Sequence, residues 1–299
     1  MEKSRLIKGI KHPRLLLIFI LQELLANHLS DETYIKWIYR LRIGKKLCLD
    51  NPVTFNEKMS WLKLYDRNPL YPQLADKYRV KDYVKQKIGS KYVVENYGVY
   101  DKWEDIDFNT LPDTFVMKGT HDSGGAFVCR EKSSFDFETT RKILTTNISI
   151  NSYYKSREWP YKDIKPRIII DKYLDDHTGN ELRDYKWWCF NGRPVYMYCT
   201  VKAEHIYENF YDMDFNPVMI DHGFPRHQPE FEKPAEFEEM KALAAKLSNG
   251  IPFVRVDFFD VEGHVYFGEF TFYDWGGTMP FGGDWDKQLG ALLELPEHK

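Results

Sequence analysis

The 299-residue chain has little cysteine, and what it has is scattered. Cys48, Cys129, Cys189 and Cys199 contain no C-x-x-C pair, which excludes a disulfide scaffold and a structural zinc site and points to a reducing, cytoplasmic compartment. Charge of one sign is also lacking. The 42 Lys and Arg stand against 45 Asp and Glu, a formal net charge of −3, so there is no global basic field and no nucleic-acid partner is expected. Neither G-x-x-x-x-G-K-[ST] nor G-x-G-x-x-G occurs, which removes the P-loop and the usual dinucleotide fingerprint. There is no internal repeat and no low-complexity segment. No apolar run is long enough to span a bilayer. The longest, LLLIFILQELL at residues 15–25, is interrupted by Gln22 and Glu23 and falls short of the ~20 residues required. Lys3, Arg5, Lys8, Lys11 and Arg14 precede it, so it reads as a helix packed on the body of the protein, with peripheral contact at an anionic membrane surface as the alternative.

What is present is a large aromatic complement, 20 Tyr and 20 Phe, enough for a sizeable core or for stacking surfaces. Residues 1–60 read as helical. Ser30 opens a helix that ends at Gly44, and Thr54 with Glu57 fits a capping box before FNEKMSWLKLY. LADKYRVKDYVKQKI has helical periodicity, ends at Gly89 and carries Lys77. Residues 92–100 read as a strand. FVMKGTHDSGGAFVCR reads as strand, glycine loop, strand, with Lys118 at the end of the first strand. A loop of this kind lets backbone N–H groups converge on an anion, or it is an ordinary hairpin tip. Residues 134–165 look helical and then irregular, and RIIIDKYL reads as a buried strand. LRDYKWWCF and RPVYMYCTV form a hairpin about Asn191-Gly192. An amphipathic helix at residues 235–247 and a glycine-rich tail with a short last helix bracket the final hairpin.

That hairpin, IPFVRVDFFDVEGHVYFGEFTF, carries the chemistry. Read with a three-residue loop Val261-Glu262-Gly263, it pairs Asp260 with His264, Asp257 with Phe267 and Arg255 with Glu269. Arg255, Asp257, Glu269 and Thr271 then share one face, and Val254, Val256, Phe258, Tyr266 and Phe270 the other. Two carboxylates about 4 Å apart repel by roughly 4 kcal/mol at an effective dielectric near 20. A bound divalent cation offsets that, and oxygen donors suit Mg²⁺. A solvent-facing strand with an Arg–Glu cross-strand pair is the other reading.

Together with NPVTFNEKMSWLKLYDRNPLY, LADKYRVKDYV, LPDTFVMKGTHDSGG, PRIIIDKYL and DYKWWCFNGRP, the hairpin resembles the TupA-like ATP-grasp family, found among bacterial capsule and surface-polysaccharide genes. The resemblance runs over residues 45–290. It implies an α+β ATP-grasp fold, with two α+β lobes clamping ATP, preceded by a helical N-terminal region. The implied division is 1–60 helical region, 61–110 N-terminal subdomain, 111–175 central lobe with the glycine loop, and 176–299 C-terminal lobe.

By motif, the resemblance assigns Lys77 and Lys118 to the ATP phosphates. His121, Ser123, Gly124 and Gly125 become a loop closing over them. Asp171, Lys172, Tyr173 and Leu174 form an adenine hinge working mostly through backbone groups. Asp257 and Glu269, with Thr271, are the Mg²⁺ ligands. Arg255 steadies the transferred phosphoryl group, and Lys186 faces the phosphate or acceptor region. Thr271 stands where many ATP-grasp enzymes have Asn, and Asp171 where Glu is common.

The implied reaction is ATP- and Mg²⁺-dependent carboxylate–amine ligation through an acyl phosphate. Its implied substrates are a small or polysaccharide-borne carboxylate, such as a uronic acid, and an amine. The alternative is a nucleotide-sugar glycosyltransferase using Asp212-Met213-Asp214 as a metal-binding D-x-D. His222 and His227, spaced H-x₄-H without partners, read as surface-loop histidines.

Overall fold

Local side-chain chemistry sets where the helices start and stop. In a computed structural model, which describes residues 13–121, 125–175, 177, 182–202 (Lys202 by backbone alone) and 204–297, α1 (Pro13–Ile20) runs into a π turn (Leu21–Leu25). Ser30 caps α2 (Asp31–Ile43), its hydroxyl accepting from Thr33 N at 3.3 Å, and Gly44 at φ 84° ends it. Thr54 and Glu57 form the reciprocal capping box of α3 (Phe55–Tyr65).

The next helical stretch is broken, contrary to its periodicity. It forms α4 (Tyr71–Ala75) and α5 (Val80–Lys87) with a turn between them. The buried Asp76 causes the break: one carboxylate oxygen accepts from Tyr78 N and Arg79 N at 2.9 and 3.1 Å. Its other oxygen takes Arg167 at 3.2 Å. Lys77 therefore sits on a turn, not on a helix, and its N–H donates to Thr120 O at 2.9 Å.

Two antiparallel sheets follow. The smaller contains β1 (Asn96–Tyr100), β2 (Phe115–Gly119), β3 (Phe127–Cys129) and β4 (Ile168–Lys172) in the order β1-β4-β2-β3. Its apolar side, with Phe115, Met117, Ile168 and Ile170, packs with Leu144 of α6 (Phe137–Ile148). A short helix, α7 (Tyr153–Ser156), leads back toward β4.

The larger sheet contains β5 (Asp184–Phe190), β6 (Arg193–Lys202), β7 (Ile206–Tyr211), β8 (Pro217–Val218), β9 (Phe253–Val261) and β10 (His264–Thr271), in the order β10-β9-β5-β6-β7-β8. Asn191 and Gly192, both at positive φ (50° and 77°), make the β5–β6 turn that the Asn-Gly pair predicts. The amphipathic helix α8 (Phe237–Ser248) lays Phe237, Met240, Ala244 and Leu247 into the core formed with Trp187, Cys189, Val254 and Val256. α9 (Trp285–Leu292) packs on α3.

The final hairpin departs from its expected register. Its loop has two residues, Glu262 and Gly263, both left-handed at φ 53° and 78°, and Val261 pairs with His264. Phe258 then faces Phe267, and a bulge at residues 268–269 shifts the pairing so that Arg255 faces Thr271. The shorter loop and the bulge compensate beyond the bulge. Arg255, Asp257, Glu269 and Thr271 do share a face, although Arg255 is not opposite Glu269. Nearer the loop there is no compensation: Tyr266 pairs with Phe259, and the buried Phe267 takes the core position expected of Tyr266.

The N-terminal helices form their own small core around Leu21, Tyr34, Ile35 and Ile38. α1, although LLLIFI is apolar on every side, buries none of its residues. Among the described residues no helix is long and apolar enough to cross a membrane. The basic residues at 3–11 lie outside the described residues.

Candidate active site

Strand register builds a charged face on the larger sheet, opposite α8. β9 places Arg255 and Asp257 two residues apart on it, and β5 sets Trp188 across from Arg255 and Lys186 across from Asp257. The bulge needs Gly268: a Cβ there would lie 3.1 Å from the Asp257 carbonyl oxygen and 3.2 Å from the Phe259 ring.

Arg255, 11% exposed, is the hub. Its Nε and Nη2 donate to the two oxygens of Asp257 at 2.7 and 2.6 Å, a bidentate pair. Nη2 also donates to Glu269 at 3.1 Å, and Nη1 donates to Asp274 at 2.6 Å and to the Tyr198 hydroxyl at 3.3 Å. Glu269 is shared further: Thr271 Oγ1 donates to it at 3.3 Å, and Lys77 Nζ lies 3.3 Å from its other oxygen. Lys186 pairs with Asp184 and lies 3.8 Å from Asp257. Asp274 also accepts from Trp188 Nε1 at 2.7 Å.

These contacts set the protonation. Burial would raise Glu269, but Lys77 and Arg255 hold its carboxyl down at about 2. Asp257 is pushed up to about 7 by burial, against the pull of Arg255. Burial would lower Lys186, but Asp257 and Asp184 raise it. Arg255 is likewise held well above its ordinary value by its carboxylates, although burial opposes them.

A second charged group forms where α5 meets the smaller sheet. Lys118 and Lys81 each lie 3.0 Å from one oxygen of the buried Asp171, and Asn96 donates to Asp171 at 3.1 Å. Desolvation would raise Asp171, but the two lysines lower it. A cavity of about 40 Å³ joins the two groups. Lys77, Lys81, Lys118 and Asp171 line one side, and Phe259, Phe267 and Gly268, next to Glu269, line the other. Lys77 links the two groups, since it lines this cavity with Lys118 and lies 3.3 Å from Glu269 of the hairpin. A larger cavity, about 280 Å³, lies between the start of α3 and the chain after Pro280, and its walls carry none of these groups.

The remaining expected site residues are placed as follows. Asp171 lies inside β4, paired with strands on both sides, and its carboxylate lines the cavity. Lys172, Tyr173 and Leu174 follow at the strand exit. Lys172 is exposed, the Tyr173 hydroxyl accepts from Arg130 at 3.2 Å, and none of the three lines the cavity. His121 is buried, with Nε2 3.2 Å from Ile150 O, so its ring is turned into the lobe rather than out over the cavity. Gly125 is exposed at φ 41°; Ser123 and Gly124 lie outside the described residues.

Asp212 is taken up by a turn, its carboxylate accepting from Asp214 N and Asn216 N at 2.9 and 2.8 Å. His222 is not a surface residue. It is buried, with Nε2 2.5 Å from the buried Glu208 and Nδ1 3.3 Å from Ile220 O.

The sequence reading missed Lys81, Asp184, Tyr198 and Asp274. Lys81 is four residues beyond Lys77, and Asp184 opens the D-Y-K motif. Those two spacings were available as signals. Tyr198 and Asp274 join the site only through tertiary packing.

The donor chemistry fits a magnesium ion in part. Asp257, Glu269 and Thr271 offer hard oxygen donors on one face, but among the described residues no group of three or more His, Cys, Asp or Glu is arranged to hold a metal. Two carboxylates suit Mg²⁺ only when other oxygens, such as those of phosphate, complete its shell.

No curated protein matches the chain. Among solved structures, D-alanine–D-alanine ligase from Bacillus anthracis complexed with ATP is similar over 75% of this chain and 58% of its own, at 16% identity and a TM-score of 0.39. D-alanine–D-alanine ligase from Helicobacter pylori is similar over 80% and 69%, at 15% identity and a TM-score of 0.42. The ATP-grasp ligase PsnB complexed with minimal precursor, Mg and ADP is similar over 72% and 57%, at 12% identity and a TM-score of 0.37. This chain thus spans less than two thirds of the first and third of these proteins. The model of the TupA-like ATPgrasp family matches residues 57–294, which include both sheets and the whole charged cluster. The chain therefore belongs to the TupA-like ATP-grasp family and has the ATP-grasp fold.

Proposed function

We propose that the protein joins a carboxylate to an amine at the expense of ATP, in the cytoplasm, during the building of a bacterial surface polysaccharide or its precursor. The observation that carries this reading is the shared cavity. Lys77, Lys81, Lys118 and Asp171, far apart in sequence, line one space, and Lys77 reaches Glu269 of the larger sheet at its edge. Across the two charged groups, five carboxylates (Asp171, Asp184, Asp257, Glu269, Asp274) pair with five cations (Lys77, Lys81, Lys118, Lys186, Arg255). Among these described residues the charges balance, so a triphosphate must take cations from the acids or arrive with its own. Asp257 and Glu269, with Thr271, would hold Mg²⁺ bound to ATP phosphates, where the ion neutralises charge in phosphoryl transfer.

Lys77, Lys81 and Lys118 then turn from acids to phosphate oxygens. Arg255, held by Asp257 and Asp274, keeps its guanidinium at the transferred group. The substrate carboxylate attacks the γ-phosphorus and ADP leaves. The amine attacks the resulting acyl carbon, phosphate departs, and the amine gives up a proton, leaving an amide. Burial of the cluster keeps water from the acyl phosphate. The polysaccharide setting and a uronic acid as the carboxylate rest on the family resemblance. The exposed α1 supports peripheral contact with the membrane at which such polymers are assembled.

Hydroxylamine tests this without knowledge of the amine, because it traps an acyl phosphate as a hydroxamate. The protein, Mg²⁺, ATP and a panel of uronic and amino acids should yield hydroxamate and ADP with at least one acid. Stabilisation against heat by UDP-sugars and not by Mg·ATP would overturn the reading.

A further inference from the structure

Asp274 stands at the start of a left-handed turn. Trp275, Gly276 and Gly277 have φ of 49°, 64° and 63°. Glycine adopts that conformation freely, whereas tryptophan is strained in it. Trp275 is 39% exposed and its ring stacks on Phe224, so burial of the side chain does not explain the strain.

What holds the turn comes from α2 and α3. Lys63 of α3 is buried, and its ammonium donates to Gly276 O, in the middle of the turn, and to Ser156 O at 2.8 Å, at the end of α7. Met59, one turn earlier on α3, presses on the next residue: a Cβ on Gly277 would lie 3.1 Å from Met59 Cβ and 3.6 Å from Lys63 Cε. Two further ties fix the residues that follow. Arg42 of α2 donates to Thr278 Oγ1 at 3.0 Å, and the Asn56 side chain bonds both the N–H and the carbonyl of Met279, at 2.9 and 2.7 Å.

Among the described residues no acid forms an ion pair with Lys63, and burial pushes its ammonium below the ordinary lysine range, with Glu158 opposing. A cation buried against neutral carbonyls pays a desolvation cost that an apolar side chain would not, so stability alone does not account for it. From the other side, the sheet holds Asp274. Its Oδ1 accepts from Arg255 Nη1 at 2.6 Å and from Trp275 N at 3.1 Å. Its Oδ2 accepts from Trp188 Nε1 at 2.7 Å and from the Tyr198 hydroxyl at 3.0 Å. A shift of the turn therefore moves an acceptor of Arg255.

We propose that Lys63 is a positioning residue: by holding Gly276 O it fixes the left-handed turn, and through Asp274 it fixes the guanidinium of Arg255. The N-terminal helices are thereby part of the active site, although no side chain of α2 or α3 lines the smaller cavity. The placement of Arg255 follows from these contacts alone, whereas its effect on rate rests on the ligase reading.

The test compares wild type, Lys63→Met and Lys58→Met as full chains. Lys58 is a matched control: on the same helix it donates to Gly290 O and Leu293 O at 2.9 and 2.7 Å, at the end of α9 rather than at the turn. The Trp188 indole N–H donates to Asp274, so its NMR signal reports where that carboxylate lies. Proteins carrying isotope-labelled tryptophan are compared at equal intervals below each melting temperature, with the signal assigned by Trp188→Phe. It should move upfield in Lys63→Met, as the bond to Asp274 lengthens, and stay in place in Lys58→Met. Lys63→Gln, which keeps a shorter, neutral donor, should show a smaller shift of the same sign, and it decides the question should Lys63→Met fail to fold. In hydroxamate formation Lys63→Met should lose about tenfold in kcat with KM for ATP kept, and Lys58→Met should keep both. An unmoved Trp188 signal in the Lys63 variants, or an equal shift in Lys58→Met, overturns the proposal, and so does a kcat that Lys63→Met leaves intact. If the signal moves in the Lys63 variants alone but even wild type yields no hydroxamate with any acid, the positioning stands and the ligase reading fails.

Discussion

Asp257 and Glu269 share one nitrogen. Arg255 Nη2 lies 2.6 Å from the first and 3.1 Å from the second, so a guanidinium stands between two acids that would otherwise repel. Asp274 completes the set at Nη1. Removing the cation would leave three carboxylates facing one another, two of them buried. Breaking a buried pair by deleting one partner costs about 3–5 kcal/mol. Arg255→Met should therefore destabilise the fold by about that much in urea denaturation, and Asp257→Asn in the same background should recover part of it. A loss below about 1 kcal/mol would show that the cluster is solvated rather than mutually held.

Glu269 gives the pH dependence. Its folded carboxyl, at about 2, is depressed from 4.5 by Lys77 and Arg255 against its burial. A depressed acid contributes stability that is fully present above its unfolded value and is lost as pH falls through its folded value. The stability difference between wild type and Glu269→Gln should be level above about pH 4.5 and shrink between pH 4.5 and 2. Denaturation midpoints across that range measure it. A difference that grew as the pH fell would contradict the Lys77 pairing.

Gly268 holds the bulge that turns Glu269 toward Arg255. A methyl group at that position meets the Asp257 backbone at 3.1 Å, and backbone cannot swing aside as a side chain can. Gly268→Ala should lower stability by about 1–3 kcal/mol. It should also reduce ATP turnover more than the stability loss explains, because Glu269 moves with the bulge. Melting temperature and turnover, measured on the same preparation, separate the two effects.

The faces of the hairpin were legible because side-chain alternation survives a shift of two residues. The expected register was wrong by that amount beyond the bulge, so Arg255, Asp257, Glu269 and Thr271 stayed together while Tyr266 and Phe267, nearer the loop, exchanged places. The capping box at Thr54 and the Asn191-Gly192 turn were legible because each is decided by a few adjacent residues. The break before Lys77 was not. It depends on Asp76 being buried beside Arg167, a contact across 91 positions. Asp274 and Tyr198 were hidden for the same reason, since each reaches Arg255 only once the sheet has formed.

Lys81 is the cation that the sequence reading passed over. It shares Asp171 with Lys118, donates to Val94 O at 2.9 Å and lines the same cavity. A charge-assisted hydrogen bond to phosphate is worth roughly 1.5–3 kcal/mol. Lys81→Met should raise the dissociation constant for Mg·ATP by roughly tenfold or more, read by calorimetry. Unaltered ATP affinity with lowered stability would make Lys81 only a partner for Asp171.

Past Arg14, α1 is apolar all round and has no fully buried residue: Ile18 rests on the N-terminal core, but Leu15, Leu17, Leu24 and Leu25 of this helix and the π turn after it are all exposed. An all-apolar helix has to be covered by something. Lys3, Arg5, Lys8 and Lys11 lie just ahead of it in the sequence and Arg14 in its first turn, and basic residues beside an apolar helix favour the headgroups of an anionic bilayer. Vesicles containing phosphatidylglycerol should therefore pull the full-length protein down on centrifugation, and vesicles of phosphatidylcholine alone should do so much less. Raising salt from 0.1 to 1 M shrinks the screening length from about 10 to about 3 Å and should release much of the bound protein. Leu15→Glu with Leu24→Glu should abolish sedimentation without lowering the melting temperature, because neither side chain is part of a core. Sedimentation that is indifferent to lipid charge and to both substitutions would mean that α1 is covered by something other than a membrane.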